Sequence, residues 1–166
     1  MWRVALLAAS VSLAACATTP PPASRSGAYA DYLIGRIANM SDDYDIAADR
    51  YFAALSRAPR DPALLNGAVV ATLASGDLER ARRAARMAPL ADAPGYARLV
   101  RASEALASQR WASAALEGES IEGPAAEELL GRMLVIWART GQGRVDEVIV
   151  DLAPLTQIRP YGGLFA

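Results

Sequence analysis

The sequence predicts an all-α fold, an α-solenoid of helical hairpins, and three observations carry that prediction. Alanine supplies 37 of the 166 residues, so much of the 53% apolar content consists of small side chains. Such residues have high helix propensity and favour closely packed helices. Small and apolar residues also recur at 3, 4, 3 spacing within short segments, which places them on one stripe of a helix. Those segments repeat with a period of about 34 residues, the mark of stacked units that bury their faces against one another.

The chain suits one domain of ordinary size, with 21% charged and 7% aromatic residues. All 17 basic residues are Arg, set against 18 acids, and the formal charge of -1 gives no electrostatic reason to expect nucleic acid as a partner. The chain has no His. That excludes Ser-His and Cys-His nucleophile pairs, His-containing metal sites and a His general base. No cofactor is expected, and no enzymatic activity.

The first element is a targeting segment. Met1-Trp2-Arg3 carries one positive charge and precedes the apolar run Val4 to Leu13. That run is too short to cross a hydrocarbon core of roughly 30 Å and has the character of a secretory leader. It ends in Leu13-Ala14-Ala15-Cys16, which resembles the bacterial lipobox, and Cys16 is the only cysteine. The resemblance implies cleavage after residue 15 and acylation of Cys16. An ordinary small-residue cleavage site leaving a free thiol, or a buried structural cysteine, are the alternatives. Multiple acyl chains make a stable anchor, because each buried CH₂ contributes about 0.8 kcal/mol. In lipoproteins an Asp after the acylated cysteine commonly marks inner-membrane retention; Ala17 stands there, which implies the outer membrane, facing the periplasm. Residues 16–27 carry Pro20-Pro21-Pro22 among Ser and Thr without apolar periodicity, and are expected to form an extended, disordered tether.

From Ala28 the hairpins follow in order. Tyr44, Ala47, Tyr51 and Ala54 make the first stripe; Leu78, Ala81, Ala85 and Ala88 the second; Trp111, Ala114 and Gly118 the third; Val145, Val148 and Leu152 the fourth. A second segment of helical length precedes each stripe: Tyr29 to Met40, Pro62 to Ala74, Tyr96 to Ala107 and Pro124 to Thr140. Asp61-Pro62 supplies an N-cap followed by Pro at the first helical position, Gly76 suits a left-handed residue after a helix, and Asp77 can cap the next one. Ser41-Asp42-Asp43 makes the first turn, and Gly141-Gln142-Gly143 frames the last.

These residues resemble the tetratricopeptide repeat (TPR). Gly35, Asp43-Tyr44, Ala47, Tyr51, Ala54 and Pro59 match its pattern well, and Gly76-Asp77-Leu78, Ala81 and Ala88 match in the second unit. The last two units are degenerate, and the fourth is expected to need an insertion at its turn. Val69 and Ile136 are larger than the family's small residue in the first helix of each unit. The resemblance divides the chain into repeats at 28–61, 62–94, 95–128 and 129–162. Residues 163–166, with Leu164 and Phe165, resemble the start of a truncated next repeat, so Val148, Leu152 and Leu155 are expected on an uncovered apolar end.

In the TPR family the ligand groove is lined by first-helix side chains on the concave face. The resemblance therefore implies a groove of Tyr29, Tyr32, Arg36 and Asn39, then Asn66, Val70 and Leu73, then Tyr96, Leu99 and Ser103. Tyr and Asn suit capture of an extended peptide, although any one of these side chains could equally belong to the interhelical core. The acidic cluster Asp42, Asp43, Asp45 and Asp49 lacks the Gly and terminal Glu of a Ca²⁺ loop, so capping and solvation explain it. Arg80, Arg82, Arg83 and Arg86 form a cationic stripe with Glu79 placed to pair with Arg83. Glu127-Glu128 and Asp146-Glu147 sit near helix starts, where the macrodipole favours negative charge. The expected function is an outer-membrane lipoprotein that scaffolds an envelope protein or peptide. A carrier of a lipid or glycan fragment is the alternative.

Overall fold

The computed structural model describes residues 25–164. The leader, Cys16 with most of the tether, and Phe165 lie outside the described residues. Those described form eight α-helices: α1 (Arg25–Met40), α2 (Tyr44–Leu55), α3 (Pro62–Ala74), α4 (Leu78–Met87), α5 (Gly95–Ala107), α6 (Trp111–Glu119), α7 (Ala125–Gly141) and α8 (Val145–Leu152). Two 3₁₀ turns follow, Ala153–Gln157 and Tyr161–Leu164. No strand occurs among the described residues.

The helices come in pairs, and each pair is joined by a turn of three residues. The middle residue of every such turn is left-handed: Asp42 (φ 61°), Gly76 (φ 79°), Gln109 (φ 55°) and Gly143 (φ 76°). In three of the turns the next amide reaches back five residues to a helix carbonyl, Asp43 to Ala38 at 2.9 Å, Arg110 to Ala105 at 2.8 Å and Arg144 to Arg139 at 3.0 Å. This closure satisfies carbonyls that the helix end would otherwise leave bare. The fourth turn has the length of the others, so the expected insertion is absent. The longer α7 absorbs the misregister instead, beginning at Ala125. Gly141 belongs to that helix: a Cβ there would lie 2.6 Å from the Trp111 ring, so it permits a close crossing rather than the turn.

Each helix packs on the next, and α1 also touches α3, α3 touches α5, and α5 touches α7. Alanine makes these approaches possible. Ala47, Ala48, Ala54, Ala68, Ala71, Ala84, Ala85 and Ala97 are fully buried around Leu55, Leu65 and Val69. The buried Thr72 hydroxyl donates to Ala68 O at 2.7 Å and so costs the core little. Asp31 of α1 is buried but accepts from Arg57 at 2.5 Å and Arg50 at 3.3 Å, which ties α1 to α2. Asp61 caps α3 through the amides of Ala63 and Leu64, and Asp77 caps α4 through that of Arg80.

Several expectations are corrected. α1 starts at Arg25, so the last residues assigned to the tether are helical. Asp43 stands at the N-cap of α2 without a side-chain cap bond. Glu79 pairs with Arg82, not Arg83. Arg80 is no free cation: it bonds Asp49 at 2.7 Å and stacks its guanidinium 5.0 Å from the Phe52 ring centroid. In the fourth stripe Val145 and Leu152 are exposed, in keeping with an uncovered end, and Val148 is half-buried. Leu155, expected at an uncovered end, is 1% exposed. The 3₁₀ segment folds back so that Leu155 and Ile158 pack with Leu129 and Ile136 of α7.

Candidate binding groove

The ten side chains expected to line a groove fall into three neighbouring concavities. Tyr29 and Tyr32 border the first, about 650 Å³, beside Arg57 and Asp61. Tyr32, Arg36, Asn39, Asn66 and Val70 meet in the second, about 270 Å³, between α1 and α3. Leu73, Tyr96, Leu99 and Ser103 line the third, about 440 Å³, formed by α3, α4, α5 and α7. Leu99 belongs mainly to the core, at 8% exposure.

The α1–α3 concavity is polar and aromatic. The Tyr29 and Tyr32 ring centroids lie 6.4 Å apart, and Tyr32 lies 6.3 Å from Tyr51. Arg36 sits over Tyr32, its Cζ 5.9 Å from the ring centroid. Tyr51 fits there because α3 carries Gly67 opposite its ring, where a Cβ would lie 2.6 Å away. Burial raises the Tyr51 pKa, the nearby Tyr32 adds to the rise, and Arg36 opposes it. The hydroxyl therefore stays protonated at physiological pH. Asn39 Oδ1 is a buried acceptor with no hydrogen-bond donor among the described residues. This surface can stack an aromatic group and donate to or accept from an amide.

The third concavity is different in kind. Leu73, Leu78, Val100, Leu130, Met133, Leu134 and Trp137 dominate it, with Arg82 and Glu104 among its few charged groups. Both charges have partners, Arg82 with Glu79 and Glu104 with Arg86. Trp137 is 61% exposed, and Leu78 and Leu130 are exposed as well. Large apolar side chains left open along one groove mark a surface for an apolar ligand. Leu130, Met133, Leu134 and Trp137 were missed by the sequence reading. The signal for three of them was present: a step of 34 residues from Tyr96, Leu99 and Ser103 lands on Leu130, Met133 and Trp137.

Several charged groups elsewhere hold the helices together. Arg98 and Arg101 of α5 both reach Glu117 of α6, at 3.3 and 2.9 Å. Arg101 also donates to the Ala85 and Ala88 carbonyls at 3.2 Å, and Arg98 to those of Leu90 and Ala91 at 2.9 Å, closing the end of α4 and the chain beyond it. Arg139 of α7 bonds Asp151 of α8 and, at 2.7 Å, Glu119 of α6. Its pKa is raised, chiefly by the Asp151 bond. Glu127 is half-buried against Gly95 and Gly123, and burial raises its pKa. No group of three or more His, Cys, Asp or Glu side chains able to hold a metal occurs among the described residues. No described helix is long and apolar enough to cross a membrane.

Comparison of the chain with family models, with curated proteins and with solved structures finds no match.

Proposed function

We propose that the chain is a TPR-like α-solenoid lipoprotein, anchored through Cys16 to the outer membrane, facing the periplasm, and acting as a scaffold for an envelope protein. The observation that carries this reading is the open apolar groove across α3, α4, α5 and α7, with Trp137, Leu130 and Leu78 uncovered on its walls. Exposed aromatic and aliphatic anchors in a concave surface are what a helix or extended segment of a partner inserts against. The repeat reading is supported by the left-handed turn residues, which recur at intervals of 34, 33 and 34 residues. The anchor reading rests on the leader and Leu13-Ala14-Ala15-Cys16. Proximity labelling from the intact lipoprotein tests the proposal: specific envelope proteins should be tagged, and should be lost from the tagged set when Trp137 is replaced by Ala. Labelling that ignores Trp137→Ala would overturn the groove as the scaffold surface.

The same groove supports a second reading. A concavity of about 440 Å³ with so apolar a lining could hold an acyl chain, making the protein a lipid carrier. Native mass spectrometry separates the two: a carrier retains a bound small molecule, whereas a scaffold has the mass of its acylated chain alone.

A further inference from the structure

We infer that the outward face of α1 is a membrane-contact surface that lies on the bilayer holding the Cys16 anchor; the inference rests on the lipoprotein reading. Tyr29, Leu33, Ile37 and Met40 follow one another at spacings of four, four and three residues along α1, with Ile34 on their flank. All are exposed, Ile37 to 65% and Met40 to 78%. The helix packs on α2 and α3 with its other side. Its one acid, Asp31, is on that packed side, buried and bound by Arg50 and Arg57. The exposed stripe therefore carries no carboxylate and is bordered by the cation Arg36. An apolar stripe with a bordering cation and an aromatic hydroxyl suits the headgroup and acyl boundary of a lipid surface.

The chain itself argues for this occupant. Residues 17–24 alone separate Cys16 from α1, and a fully extended segment of that length spans at most about 30 Å. Acylation would hold α1, the first described element, within that reach. Tethering turns its contact with lipid into an intramolecular event at high effective concentration, so a modest apolar face suffices. A second copy is a poorer occupant, because stable protein interfaces take roughly 20–30 residues a side and this stripe offers far fewer.

The test uses the full acylated protein in vesicles of phosphatidylethanolamine and phosphatidylglycerol, some with brominated acyl chains. Because Cys16 is the only cysteine and its thiol is acylated, Ile37→Cys takes a single fluorophore, and Ser113→Cys on exposed α6 serves as reference. Bromine should quench the residue 37 label severalfold more than the residue 113 label. Adding Leu33→Glu to Ile37→Cys, with helix content checked by circular dichroism, should abolish that excess. If a protein of correct acylated mass floats with the vesicles yet shows equal quenching at both positions, the α1 contact is wrong and the lipoprotein reading stands. Excess quenching that survives Leu33→Glu would reflect tether proximity alone and would also overturn the contact. A protein without acyl mass would overturn both.

Discussion

Gly67→Ala in α3 should destabilise the protein even though it removes a glycine from a helix interior. On propensity alone the change gains about 1 kcal/mol. The opposing term comes from Tyr51, a 4% exposed ring lying between Gly35 of α1 and Gly67 of α3. A Cβ at residue 67 would stand 2.6 Å from Tyr51 Cε1 and 2.7 Å from Cζ. Carbon atoms prefer separations of about 3.5–4.0 Å, so the ring must move about 1 Å. Its room to shift is limited because α1 also comes close to it, a Cβ on Gly35 lying 3.3 Å from the same Cε1 atom. Overpacking of this kind costs about 1–3 kcal/mol, and an overlap this large belongs in the upper half of that range. The net loss should be about 1–2 kcal/mol after the propensity gain is subtracted. Urea unfolding followed by far-ultraviolet circular dichroism measures it. In a Tyr51→Leu background the ring is gone, and Gly67→Ala should become stabilising by up to about 1 kcal/mol. Equal effects in the two backgrounds, or a gain in the parent protein, would refute the claim that Gly67 exists to admit Tyr51 between α1 and α3.

Three further outcomes are expected. Burial holds the Glu127 pKa above its ordinary value, so the folded state binds the proton more tightly than the unfolded one; stability from this group is full below the unfolded value and is lost as pH rises through the folded one. Glu127→Gln should therefore raise the melting temperature at pH 7, with the difference vanishing below about pH 4. Amide exchange should be fastest in α8, which has no buried residue, and slowest in α2 and α3, whose Ala54, Leu55, Leu65 and Val69 are buried; slow exchange in α8 would contradict that packing account. Cys16→Ser should block both cleavage after residue 15 and acyl labelling, read by mass spectrometry, and an unchanged mass would reject the lipobox reading.

The pairing of helices was legible in the sequence because its punctuation is local. Gly76, Asp61-Pro62 and Asp77 act where their chemistry requires. Two of the four left-handed turn residues, Asp42 and Gln109, are not glycine; Ser41-Asp42-Asp43 reads as a turn, whereas nothing in its residue type marks Gln109. What the sequence concealed was tertiary. Gly141 has the composition of a turn residue, yet the Trp111 ring across the α6–α7 crossing explains it. Leu155 fits an apolar end by pattern, and only the reversal of the chain after α8 buries it against Leu129 and Ile136. The groove was half legible for the same reason. Its residues in the first three units follow from the resemblance to the TPR pattern, whereas Leu130, Met133 and Trp137 emerge only when the period is carried through the degenerate fourth unit.

The central claim, that the α3–α5–α7 groove receives an envelope protein, is tested most directly by photocrosslinking from inside it. A photoreactive phenylalanine analogue replaces Trp137 in the full chain in living cells, and another replaces the exposed Ser113 of α6 as reference. The account predicts a discrete adduct between residue 137 and one envelope protein, absent from residue 113. Adducts of the same pattern from both positions, or none from residue 137 in a correctly anchored and folded protein, would contradict it.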